Sequence, residues 1–141
     1  MTAWRCPHCG RAFNRARVKH SCGTGDRAAM LANKPAGLVD LYEELERIAR
    51  SFGDIEIVAK NRYALLRTTR IFADVVFMKD ALRLALQLER VIDDPIFFKT
   101  VRDARGRVQQ VAKLRNLAEL QAVAPYLREA HHYASAWSRS P

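Results

Sequence analysis

The chain has 141 residues, 49% hydrophobic and 28% charged, enough for one ordinary domain with a small appendage and unlike the composition of a disordered segment. Its formal charge is +9 at pH 7, from 24 Lys and Arg against 15 Asp and Glu. No apolar run approaches the ~20 residues of a membrane-spanning helix, and the opening MTAWRCPHCGR has no apolar signal-peptide core; a cytoplasmic protein with reduced thiols and no membrane partner is expected.

Residues 1–35 hold seven basic residues (Arg5, Arg11, Arg15, Arg17, Lys19, Arg27 and Lys34) and one acidic residue, Asp26, a local charge of +6. Two-thirds of the excess charge therefore lies on a quarter of the chain. Concentrated positive charge attracts polyanions, nucleic acid first among them.

The same segment carries the chain's three cysteines. Cys6-Pro-His-Cys9 is followed after ten residues by His20-Ser-Cys22. Zinc takes four ligands at tetrahedral corners, usually thiolate sulfur and imidazole nitrogen. The Cys-x-x-Cys knuckle offers two and the His-x-Cys pair two more, so Cys6, Cys9, His20 and Cys22 are the expected ligands of a closed, structural Zn2+ site. His8 is an alternative fourth ligand, in an awkward place between the two knuckle cysteines. Trp4 and Phe13 stand where the β-hairpin half of a two-cysteine, two-histidine finger keeps its aromatics. The ten-residue gap leaves little room for a full recognition helix, so base reading by such a helix is not expected. Arg11, Arg15, Arg17 and Lys19 fall within the loop, a group of cations that bound phosphate would relieve of mutual repulsion.

Residues 1–24 are thus read as a zinc finger and 25–35 as a linker, with Asp26 capping a short helical turn and Pro35 ending it. Residues 36–141 are read as an α+β domain. From 36 to 52, Leu38, Leu41, Tyr42, Leu45, Ile48, Ala49 and Phe52 recur at three- and four-residue steps, which predicts an amphipathic helix closed by Gly53. Strand patterns follow at 55–60, 62–68, 71–78, 81–89, 96–102 and 107–114. In 81–89, Leu82, Leu84, Leu86 and Leu88 face one way and Arg83, Gln87 and Glu89 the other. Asp93-Asp94-Pro95 reads as a turn and Ala104-Arg105-Gly106 as a hairpin connection. Asn116 with Glu119 forms a capping-box signal for a closing helix striped by Leu117, Leu120, Ala124, Leu127, Ala130, Ala134 and Trp137. Pro125 within it predicts a kink or two shorter helices. The order predicts a two-layer sandwich: an antiparallel sheet of about six strands with the N- and C-terminal helices on one face.

Other constellations are weaker. Asp54, Glu56 and Lys60 lack the Glu-x-Lys spacing of a nuclease strand. Asp93 and Asp94 belong to the turn. His131 and His132 are adjacent on a helix and point to different faces. Neither a Gly-x-Ser-x-Gly elbow nor a Gly-rich phosphate loop is present. Arg67, Arg83 and Arg107 would extend a basic surface if strand register places them together.

The segments Trp4-Arg-Cys-Pro-His-Cys-Gly-Arg-Ala-Phe13, His20-Ser-Cys22, Lys34-Pro35, Leu41-Tyr42, Phe52-Gly53 and Phe72-Ala73 together resemble an uncharacterised bacterial domain family of unknown function. Its members are small predicted cytoplasmic proteins, several with a Cys/His finger before an α+β domain. The resemblance spans most of the chain and implies the fold and the zinc site, but no activity. Relatives carry histidines in the last strand, where this chain reads Val108-Gln109-Gln110-Val111-Ala112-Lys113; any chemistry depending on them would be missing here.

The favoured functional reading is a non-enzymatic zinc-binding protein that contacts nucleic acid, DNA or RNA, through phosphates held by Arg11, Arg15, Arg17 and Lys19. One alternative is a protein-interaction module for an acidic partner. Another is a small-ligand or enzyme domain with a pocket between sheet and helices around Tyr63, Phe77 and Tyr126. The sequence leaves the oligomeric state open.

Overall fold

The computed structural model describes residues 4–5, 12–13, 27–60 and 62–137. Two short strands, β1 (Trp4–Arg5) and β2 (Ala12–Phe13), pair antiparallel, Trp4 opposite Phe13 and Arg5 opposite Ala12. They are followed by α1 (Arg27–Leu31), α2 (Ala36–Arg50), β3 (Glu56–Ala59), β4 (Tyr63–Arg67), β5 (Ile71–Phe77), β6 (Leu82–Leu88), β7 (Phe97–Arg102), β8 (Val108–Leu114) and α3 (Leu117–Trp137). Strands β3 to β8 form one antiparallel sheet in the order β3-β4-β5-β6-β8-β7.

The predicted α+β sandwich with six strands is the observed one. Period-two alternation sends Ala64 and Leu66, Ala73, Val75 and Phe77, the four leucines of β6, and Val108, Ala112 and Leu114 to one face. There they pack with Leu38, Leu41, Tyr42 and Leu45 of α2 and Leu120, Val123, Leu127 and Ala130 of α3 in a single core. Leucine favours helix in isolation, but four leucines at period two bury completely only as a strand. A bulge in the β4–β5 pairing places Phe72 between the partners of Leu66 and Arg67. Its ring meets His131 of α3 edge-on, with centroids 5.3 Å apart.

The helix boundaries differ in three places from expectation. Pro35 does not end the first helix; α1 stops at Leu31, Asn33 takes a left-handed φ of 60°, and Pro35 is the N-cap of α2. A proline has no N–H to lose at a helix start, and its carbonyl accepts from the Leu38 and Val39 N–H groups. Helix α2 ends at Arg50, and Gly53 follows with φ 135°. Helix α3 continues through Pro125 as one helix, so of the two expectations, a kink or two shorter helices, the second is not met. Its start carries the expected cap, with Asn116 Oδ1 accepting from the Glu119 N–H at 2.9 Å. Glu119 reaches back one residue further than a capping box requires, to the Arg115 N–H at 2.8 Å.

The connection from β6 skips a neighbour, so β8 lies inside the sheet and β7 on its edge. Gln110 of β8 fastens that connection. Its amide Oε1 accepts from the Ile92 N–H at 2.7 Å and its Nε2 donates to the Ile92 carbonyl at 2.9 Å. Nε2 also lies 3.2 Å from Thr100 Oγ1. Gln110 is the buried polar residue of the described core, at 1% exposure, and the side chain acts as a strand partner for one loop residue.

Candidate nucleic-acid interface

Cys6, Cys9, His20 and Cys22, with His8, lie outside the described residues, as do Arg11, Arg15, Arg17 and Lys19. The described part of that segment is the antiparallel pairing of β1 with β2. These two strands flank Cys6 and Cys9 in the sequence, and the aromatic positions 4 and 13 are direct cross-strand partners.

The sheet bears a basic surface among the described residues. The face turned away from α2 and α3 bears Glu56 and Val58 of β3, Tyr63, Leu65 and Arg67 of β4, and Asp74 and Val76 of β5. It continues with Arg83, Ala85 and Gln87 of β6 and Gln109, Val111 and Lys113 of β8, then Lys99 and Val101 of β7. Register aligns Tyr63, Val76, Arg83 and Lys113 in one row across four strands. Phe98 of β7 continues the row: Lys113 Nζ stands 6.0 Å from its ring centroid. Phe98 is 56% exposed and Tyr63 38%.

Among the described residues of these strands, four cations share this face with two carboxylates. Glu56 is engaged by Arg67 at 3.8 Å. Asp74 is half-buried, and burial raises its carboxyl above the usual carboxylate range against the opposing pull of Arg83. Arg83 and Lys113 are direct cross-strand partners, and Lys99 pairs with Val111, two residues from Lys113. Like charges directly opposite on a sheet are destabilising, so an anion laid over the three cations would relieve a cost already present in the fold. Arg107 does not join them. It sits in the β7–β8 turn, its Nε 2.6 Å from Asp103 Oδ2.

The weaker sequence candidates are dispersed. Phe77 is buried against Tyr42, with ring centroids 5.5 Å apart. Tyr126 donates to Asp94 Oδ2 at 2.7 Å, and Tyr63 is on the opposite sheet face, so the three do not line one pocket. Asp94 is a structural turn carboxylate. The Ile96 N–H and then the Tyr126 hydroxyl hold it below its ordinary pKa. His131 packs between Phe52 and Phe72, while His132 is exposed. The Tyr42 hydroxyl is buried, feels the Glu46 charge without closing a hydrogen bond on it, and is shifted well above its usual pKa, chiefly by burial. Among the described residues no group of three or more His, Cys, Asp or Glu is placed to hold a metal ion. Likewise, no described helix is long and apolar enough to cross a membrane.

Sequence reasoning reached Arg67 and Arg83 but missed Lys99, Lys113 and Phe98. The alternation Gln109, Val111, Lys113 was legible in β8. What was not legible is that β8, and not β7, neighbours β6.

Among the described residues, fold and surface define a two-layer α+β unit with one helix-covered sheet face and one basic face that no described helix covers. The chain belongs to the family described as Domain of unknown function (DUF5655), which matches residues 28–134, from α1 into α3. No curated protein and no solved structure matches it.

Proposed function

We propose that the chain is a non-enzymatic, zinc-bearing protein that binds nucleic acid through phosphates. The observation that carries this reading is the concentration of charge and metal donors in one short segment: six of the nine excess positive charges lie in residues 1–35, together with every cysteine. Three thiolates and an imidazole suit Zn2+ in a closed site, with Cys6, Cys9, His20 and Cys22 as ligands. The β1–β2 pairing supports this, because a Cys-x-x-Cys knuckle needs its flanking chain brought back on itself as a hairpin. A segment of 24 residues is too short for a core of its own, so the metal would supply its folding energy.

In this reading residues 1–24 are the finger, 25–35 the linker and 36–141 the α+β domain of a cytoplasmic protein. Arg11, Arg15, Arg17 and Lys19 contact phosphates, with little sequence preference, because phosphate carries no base information. About four contacts predict a log–log salt slope near −3.6 on duplex, so affinity falls about 150-fold between 50 and 200 mM salt.

The test is fluorescence anisotropy with short DNA and RNA, single- and double-stranded, at low and physiological salt, using intact and zinc-stripped protein. Salt-sensitive duplex binding that is lost on stripping and in an Arg15→Glu/Arg17→Glu variant supports the reading. Unchanged duplex affinity in that variant, or no binding at low salt, refutes it. A second reading, strand addition by a protein partner, draws on the edge strand β7, which among the described residues pairs with β8 alone. Lys99 and Arg102 on that edge work against it, as edge charges do generally.

A further inference from the structure

We infer that the open face of the sheet is a binding surface for single-stranded nucleic acid, with Tyr63 and Phe98 as stacking platforms and Arg83, Lys113 and Lys99 as the phosphate-holding group between and beside them. This rests on the nucleic-acid reading above and adds a second site and a strand preference to it.

The row runs aromatic, aliphatic, cation, cation, aromatic: Tyr63, Val76, Arg83, Lys113, Phe98. At ~4.8 Å per strand its two ends are about 19 Å apart, across five adjacent strands. Two exposed aromatic rings, Tyr63 and Phe98, bracket the cations. Ala85 and Val111, next to the row, are small and almost fully buried, so the centre of the face is low and the long or aromatic side chains stand around it. A polyanion with separate planar groups matches this surface in charge and in shape.

The same features select against duplex. Bases in a duplex are stacked on one another and cannot lie on a protein ring, whereas an unpaired strand can splay its bases onto aromatics while cations follow its backbone. The carboxylates do not cancel the field. Glu56 is held by Arg67 at the far edge, and Asp74 stands outside the row, opposite Leu65 and Ala85, half-buried and drawing on Arg83 alone of the three cations. Arg83 and Lys113 face each other across β6 and β8 with no acid between them in register. Stacking tolerates any base, so the preference is for strandedness and not for sequence.

The experiment uses the full chain, zinc-loaded, and a labelled single strand of about a dozen nucleotides against the duplex of the same sequence. The variants are Phe98→Leu and Tyr63→Leu, which keep an apolar side chain but remove the π-face, Phe98→Tyr as a conservative rescue, and Arg83→Glu/Lys113→Glu. Circular dichroism and melting check that each is folded. Wild type is expected to prefer the single strand at least tenfold. Each leucine variant should weaken single-strand binding by about 5- to 100-fold and leave duplex binding unchanged, and Phe98→Tyr should restore it. Folded leucine variants with wild-type affinity, or equal binding of single strand and duplex by wild type, overturn the inference. If only the Arg15→Glu/Arg17→Glu variant loses affinity, the finger reading stands and the sheet site falls. If wild type binds no nucleic acid at all, both fall.

Discussion

Replacing Gln110 with methionine tests how the chain crosses from β6 to β7. Methionine has nearly the same length and no donor or acceptor, so the change removes hydrogen bonds with little change in volume. Three contacts disappear: Ile92 N–H to Oε1 at 2.7 Å, Nε2 to the Ile92 carbonyl at 2.9 Å, and Nε2 to Thr100 at 3.2 Å. The third partner is a hydroxyl on an exposed edge residue and recovers its bond from water. The first two belong to the backbone of a residue that is 4% exposed, so both are left unpaired in the interior. An orphaned buried polar group costs about 1–3 kcal/mol, and two give about 2–6 kcal/mol, a large share of the ~5–15 kcal/mol that stabilises a domain. We expect a loss near 3 kcal/mol. With a urea m-value of about 1.5 kcal/mol/M, the unfolding midpoint falls by about 2 M. Thr100→Val, which removes only the exposed partner, should cost under about 1 kcal/mol. A Gln110→Met protein within 1 kcal/mol of wild type would show that water reaches Ile92, and the reasoning would be wrong.

Other expectations concern titration, turns and metal. Burial first, and the neighbouring His132 second, lower the pKa of His131. The unfolded chain therefore takes up the proton before the folded one. The stability this group contributes is complete above about pH 7, falls as pH drops through the unfolded value near 6.5, and levels off below the folded value. Melting temperatures from pH 7.5 to 5 should fall less steeply in His131→Phe, which keeps the aromatic packing on Phe52 and Phe72; parallel curves would refute the assignment. Gly106 has φ 81° with open space where a Cβ would go. Gly106→Ala should cost about 1–2 kcal/mol by backbone strain alone, and Gly106→Asn clearly less; equal losses in urea unfolding would contradict that cause. Cys9→Ser should abolish stoichiometric zinc by native mass spectrometry, and zinc retained at wild-type affinity would exclude the four-ligand site.

Local pattern fixed much of this protein. The leucine alternation of 82–88 marked a strand despite helix propensity, because only a pleated chain turns every second residue to one side. The stripe from Leu38 to Phe52 marked a helix for the corresponding reason at period 3.6, and Asn116 with Glu119 marked the start of the last one. The Cys/His spacing and the clustering of charge are likewise properties of the sequence alone. Non-local pairing escaped it. Pattern shows that Arg83 and Lys113 avoid the core, but not that they are neighbours; that follows from β8 inserting between β6 and β7. Nor could it show that Gln110, one residue from its near-twin Gln109, is buried to hold a loop 18 positions away. Pro35 opens a helix here because the preceding turn closes at Asn33, and Pro125 is accommodated because α3 lies packed along the sheet and α2. Periodicity decides which side of an element is apolar. Only the tertiary structure decides which elements meet, and therefore which of the outward residues share one surface.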